Sequence, residues 1–382
     1  MTGMGMMGRN LVPHGERDSH VEVGWTDQGS HRSVGDLTVL VGPQASGKSI
    51  FLQFLKLVLD GGPVRATLRR HGLEWEGKNE FLDLYLGEGM RSVWHQRNSE
   101  VIWRNRAINP DPVIPQINSG REKCFLIPAQ RVLTLSRESW LRPFTDYRPG
   151  DPFAVRDFSE KLRVFLDRPP EFHAAEKSLA QDIFSGLGLS IVKDGPQRRL
   201  VLQDAKDKLH LPFMVWSAGQ REFVPLLLGL EWLQRTKPGP LWVAIEEPEM
   251  GLHPKAIEGV LFMIFDLLRR GHHVCISTHS AQVLDVVWAL RNLRESKAGA
   301  ADVLRIFGAK TGAATTEVGR AALKKRIRVY YFDRHSGKTR DISNLDPGAV
   351  ESSEAEWGGL TEFSGRVADI VADAAARNGG MK

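Results

Sequence analysis

The chain has 382 residues, enough for two or three domains or for one core with a large insertion. Apolar residues at 42% and charged residues at 25% are ordinary for a globular protein, which excludes a chain disordered throughout. A net charge of +5 is too mild to demand an acidic partner, though it leaves nucleic acid open.

In chain order, residues 1–20 are rich in Gly, Met and charge and are expected to begin loose. MTGMGMMGRN has no basic start followed by an apolar run, so no leader is expected. Val21 to Trp25 (VEVGW) alternates as an edge strand does, and Trp25 either stacks on a base or simply packs. Leu37 to Val41 is β-branched and aliphatic, as a buried parallel strand should be. The next eight residues, Gly42, Pro43, Gln44, Ala45, Ser46, Gly47, Lys48 and Ser49, form the phosphate-loop pattern G-x-x-x-x-G-K-S. A helical run opens at Ile50 and meets its first breakers at Asp60-Gly61-Gly62. Strand, glycine loop and helix in that order point the loop N–H groups at a phosphate. Lys48 then reaches the β- and γ-phosphates of ATP, and Ser49 ligates Mg²⁺.

Residues 61–210 change character. Basic clusters (Arg65/Arg69/Arg70/His71, Arg91/His95/Arg97, Arg104/Arg106) interleave with Trp75, Trp94 and Trp103. The pattern fits a backbone-tracking nucleic-acid surface and equally a solvated face with amphipathic tryptophans. KCFLIPAQR is an apolar strand ending in Gln130 and Arg131, where Gln130 senses Mg²⁺ and the γ-phosphate or merely caps the strand. Glu171 to Gly188 reads as a helix, and IVKDGPQRRLVL as a hairpin turning at Asp-Gly.

Three further motifs follow. VWSAGQRE places Ser217, Ala218, Gly219 and Gln220 at a helix start, with N–H groups turned to an anion. LWVAIEEPE is a buried strand ending in two carboxylates; Glu246 orients the Mg²⁺ shell and Glu247 polarises the attacking water. Adjacent buried carboxylates repel, which argues for a cation between them. VCISTHS ends a third strand at His279, placed to hydrogen-bond the γ-phosphate. Cys124 and Cys275 lie in the apolar runs CFLI and VCIS and read as small buried thiols in a reducing compartment.

The series GPQASGKS, IPAQR, WSAGQRE, IEEPEMGLHP, STHS resembles the ABC-type ATPases. Within them it is similar to the stand-alone group related to overcoming-lysogenization-defect and RecF/SMC-like proteins, seen in anti-phage and toxin–antitoxin operons. The resemblance implies an α/β ABC-type P-loop fold, a central mixed sheet flanked by helices, and an inserted helical/β lobe carrying the signature motif. It puts the Q-loop at or near Gln130, with Arg131 the alternative functional residue there, and makes Ser217–Gln220 the signature, Glu246 the Walker B acid, Glu247 the catalytic glutamate and His279 the switch histidine. It also implies composite sites, hence a head-to-tail homodimer or higher assembly with ATP sandwiched between copies. The expected domains are an N-terminal half-core (1–60), an inserted lobe (61–210), a second half-core (211–290) and C-terminal strands and helix (291–382).

In that last part, Arg291 to Gly299 reads as a linker, VLRIF and RIRVYYF as strands, and residues 335–338 as a turn. Thr361 to Ala375 is an amphipathic helix whose stripe of Phe363, Val367, Ile370 and Val371 is expected to pack on the body. No Asp-x-Asp cluster of a TOPRIM nuclease follows His279, so the nuclease or toxin is expected on a separately encoded effector protein in phage defence. A RecF/SMC-like DNA-repair ATPase is the alternative. With no apolar stretch near the roughly 18 residues of a membrane span, no membrane partner is expected, and the expected compartment is the cytoplasm.

Overall fold

A computed structural model describes residues 34–93, 121–137, 139–167, 183–184, 186–204, 209–236, 239, 241–336 and 338–379, with short strands at 4–9, 20–23, 100–103 and 106–108. Those short strands are β1 (Met4–Arg9), β2 (His20–Val23), β4 (Glu100–Trp103) and β5 (Arg106–Ile108), which form a small sheet in the order β2-β1-β4-β5. Residues 4–9 are thus a strand where a loose start was expected. Trp25, Trp94, His95, Arg97, Arg104 and most of the helix expected at 171–188 lie outside the described residues.

The central sheet takes β3 (Leu37–Val41), β6 (Cys124–Ile127), β10 (Trp242–Glu246), β11 (His273–Ser277), β12 (Ile327–Phe332) and β13 (Thr339–Asp341), in the order β13-β12-β3-β11-β10-β6. All neighbours pair in parallel except β13, which closes an antiparallel hairpin with β12. The fold is therefore an ABC-type P-loop NTPase fold, with a mostly parallel sheet flanked by helices. Period-two alternation serves both faces. Val39, Phe125, Ile245 and Ile276 pack under the helices Ala218–Arg235, Pro254–Arg269 and Ala281–Glu295. Leu40, Leu126, Ala244 and Cys275 face the helix Lys48–Arg70. Both cysteines are free thiols in this core.

Further sequence expectations change. The first helix does not end near Asp60 but bends there (φ −133°, ψ 26°) and continues past Pro63 to Arg70. A buried Asp60 carboxylate holds the bend, accepting from Lys56 Nζ (2.8 Å), Lys123 N (2.7 Å) and Cys124 N (2.9 Å). In the C-terminal part, RIRVYYF is β12 but VLRIF is helical, within Ala300–Ile306, and the expected linker lies partly in the helix Ala281–Glu295. The helix Glu362–Gly379 leaves its apolar stripe exposed instead of packing it, with Phe363 at 69% and Val371 at 62%. The segment ahead of it is anchored, since Trp357 is buried and Gly358 lies against Val41 and Tyr331. The hairpin expected at 191–202 is present as β7 (Gly188–Asp194) and β8 (Gln197–Gln203), extended by β9 (His210–Pro212).

Candidate nucleotide site

Parallel strands all end at one edge, and every motif that follows a central strand is delivered there. Across that edge, in sheet order, come the phosphate loop after β3, His279 after β11, Glu246 and Glu247 at the end of β10, and Pro128–Arg131 after β6. In the loop Gly42 and Ser46 are buried, Pro43, Gln44 and Ala45 exposed, and Gly47, Ser49 and Ile50 half-buried. Gly42 has φ +140°, and a Cβ there would stand 2.5 Å from the Phe332 carbonyl oxygen, so only glycine lets the loop lie against β12. Gly47, left-handed at φ 97°, starts the helix without a side-chain cap, leaving its first amides to an anion.

Lys48 is buried, and its ammonium donates to the Gly42 and Pro43 carbonyls at 2.7 and 2.8 Å. Burial lowers it to about 8, against the pull of Glu247 and Glu249, so the cation is held ready at high electrostatic cost. Glu246 is 1% exposed. Burial pushes its carboxyl up to about 7, although Ala129 N (3.3 Å) and the Ser49 hydroxyl donate to it. Its second oxygen, Oε1, is buried and without a hydrogen-bond partner.

The expectation of two buried carboxylates needs correction, because Glu247 is 29% exposed and only Glu246 is enclosed. Glu247 instead has φ 43°, a left-handed backbone that a non-glycine residue adopts at a cost. Its N–H donates to the Ser277 carbonyl (3.0 Å), and its own carbonyl accepts from Met250 N (3.0 Å) and Arg131 Nη2 (3.0 Å). His279 Nε2 lies 3.7 Å from Glu247 Oε1. Burial and the Lys48 charge lower the His279 imidazole, Glu247 opposing, so it is neutral at pH 7.

Glu249, which the motifs did not single out, and Arg131, the alternative to Gln130, complete the arrangement. Glu249 Oε1 accepts from the Thr278 hydroxyl and from His279 N, both at 2.7 Å, and thereby fixes the histidine's backbone. Its place as the third carboxylate of EEPE was the available signal. Arg131, fully buried, holds the carbonyls of Glu246 and Glu222 as well as that of Glu247. Gln130, by contrast, is exposed, and among the described contacts nothing brings its amide to Glu246. At the signature, Ser217 Oγ accepts from Gln220 N and Gln220 Oε1 from Ser217 N, a reciprocal cap that leaves the Ala218 and Gly219 amides outside it. Ser217 and Ala218 are exposed, whereas Trp216 is buried and donates to the Leu211 carbonyl (2.7 Å).

Magnesium fits these donors. The unpartnered Glu246 oxygen and the Ser49 hydroxyl offer two hard oxygens side by side, and Mg²⁺ takes its remaining ligands from phosphates and water. Among the described residues no group of three or more His, Cys, Asp or Glu could hold a metal ion.

Fold and site together define a P-loop NTPase of the ABC type. More narrowly, residues 87–285 match the family model described as "AAA domain, putative AbiEii toxin, Type IV TA system", and the chain belongs to that family. No curated protein matches the chain. Among solved structures it is similar to an SMC head bound to the C-winged helix domain of ScpA, at 12% identity over 89% of this chain and 96% of that one, TM-score 0.40. It is likewise similar to a dimeric ATP-binding cassette in a post-hydrolysis state bound to ADP and Pi, at 12% identity over 89% and 97%, TM-score 0.38. The SMC head domain from Thermotoga maritima is matched at 8% identity over 89% and 98%, TM-score 0.32. No helix among the described residues is long and apolar enough to cross a membrane.

Proposed function

We propose that two copies of the chain close head-to-tail around two ATP molecules, hydrolyse them, and couple nucleotide state to a separately encoded nuclease or toxin in anti-phage defence. The observation that carries this reading is one sheet edge holding Lys48, Ser49, Glu246, a left-handed Glu247 and a neutral His279 together. Bound Mg²⁺ would neutralise phosphate charge, held by Ser49 and Glu246. Lys48 and the uncapped amides of the first helix bind and orient the phosphates. Glu247, half-exposed and fixed through its backbone, accepts a proton from the attacking water. His279, positioned by Glu249, hydrogen-bonds the γ-phosphate. The exposed Ser217–Ala218 corner serves the neighbour's nucleotide. The defence role is supported by the family's description, which names a putative toxin of a type IV toxin–antitoxin system.

Glu247→Gln tests the chemistry and the assembly at once. It is expected to bind ATP, to lose hydrolysis by at least about 10²-fold, and to accumulate as an ATP-bound dimer in size-exclusion light scattering. A variant that stays monomeric at saturating ATP would overturn the sandwich.

A further inference from the structure

Arg131 is 0% exposed and spends its donors on backbone. Nη1 donates to the Glu246 carbonyl (3.0 Å) and Nη2 to that of Glu247 (3.0 Å), while Nε donates to the Glu222 carbonyl (3.1 Å). Glu246 and Glu247 end the strand that carries the metal and water groups, and Glu222 lies on the first turns of the signature helix. The two elements also meet without a spacer. A Cβ on Gly219 would stand 2.8 Å from the Gly251 carbonyl, and one on Gly251 would meet Glu222 Cγ at 3.3 Å. A rigid, planar fork thus ties the signature helix to the backbone that carries Glu247.

We infer that Arg131 is a positioning residue linking the two sites of the dimer: a nucleotide held by one copy against its neighbour's Ser217 corner sets the aim of that neighbour's Glu247. This rests on the composite-site reading. ATP at one site then promotes hydrolysis at the other, and hydrolysis is positively cooperative in ATP.

The test is steady-state ATP hydrolysis by the full chain, with nucleotide affinity measured separately by fluorescence. Wild type is expected to show a Hill coefficient clearly above 1. Arg131→Lys keeps a buried cation but cannot fork to three carbonyls. It is expected to lower kcat by about tenfold or more and to bring the Hill coefficient to about 1, with nucleotide Kd within about twofold of wild type. Gly219→Ala, which forces the signature helix off Gly251 from the other side, is expected to lose cooperativity too, and it reads the same link should Arg131→Lys fold poorly. A wild-type Hill coefficient of 1, or variants that lose rate and stability yet stay cooperative, would overturn the link and leave the ATPase reading standing. Absence of any ATP-driven dimer would overturn both.

Discussion

Burial holds the Glu246 carboxyl at about 7, above the 4.5 it has in the unfolded chain, with the Glu247 charge adding to the effect. The unfolded state thus loses this proton first as pH rises, and stability falls across the window from about 4.5 to 7. The shift corresponds to about 3 kcal/mol at pH 8. Lys48 works in the next window. Its folded value near 8 lies below 10.5, so its charge is costly below pH 8 and the cost is relieved only as pH rises from 8 towards 10.5. Around neutral pH both penalties stand together, in the pH range where Mg²⁺ and a triphosphate would relieve them. Nucleotide-free Glu246→Gln is expected to exceed wild type by about 2–3 kcal/mol in urea unfolding at pH 8, with the gain shrinking towards zero near pH 5. A gain that is the same at both pH values would show that Glu246 is not held protonated.

The kinked first helix shows how a distant charge decides a local structure. Asp-Gly-Gly-Pro is a stop signal to any local reading, yet Asp60 is tied to the Lys123 and Cys124 amides, more than sixty residues away, and to Lys56. Lys56 in turn donates to the Cys124 carbonyl (2.6 Å) and to Glu122, so the helix is stapled to the outer strand β6. Asp60→Ala would leave the two buried amides without an acceptor and take from Lys56 one of its two carboxylates, and a loss of about 2–4 kcal/mol is expected in chemical denaturation. Lys56→Met/Asp60→Leu, which removes both charges, should recover part of that loss. A single variant no less stable than wild type would mean that solvent already screens the pair. Elements whose cause is local were readable from the chain: the four central strands that carry motifs, the phosphate loop, the Asp194-Gly195 hairpin and the helix that starts at the signature. Those governed by distant partners were not. VLRIF is a five-residue apolar run that periodicity cannot assign, and packing made it helical. Arg131 stood beside Gln130 as an alternative, but what decides for it, its bonds to the carbonyls of Glu222, Glu246 and Glu247, lies at least 91 residues along the chain. The exposed stripe of the C-terminal helix likewise obeys a 3.6 period that says nothing of what it meets.

At the scale of the whole molecule, the parallel sheet explains why motifs spread from Gly42 to His279 arrive at one edge, and in the proposed composite site the exposed Ser217 corner serves the nucleotide of a second copy. A site shared between copies makes a prediction that a self-contained site does not. Lys48→Ala removes the cradle but leaves its own signature intact; Ser217→Arg blocks the signature but leaves its own cradle intact. Each variant alone forms only broken sites and is expected to be inactive. Mixed in equal amounts, half of the dimers carry one copy of each, and each such dimer has one site built from the good cradle and the good signature. Hydrolysis should then return to roughly a quarter of the wild-type rate, since one site in two works in one dimer in two, and to less if the sites are cooperative. A mixture as inactive as its components, under conditions where copies demonstrably exchange, would place cradle and signature in the same subunit's site and remove the reason for two copies to meet around ATP.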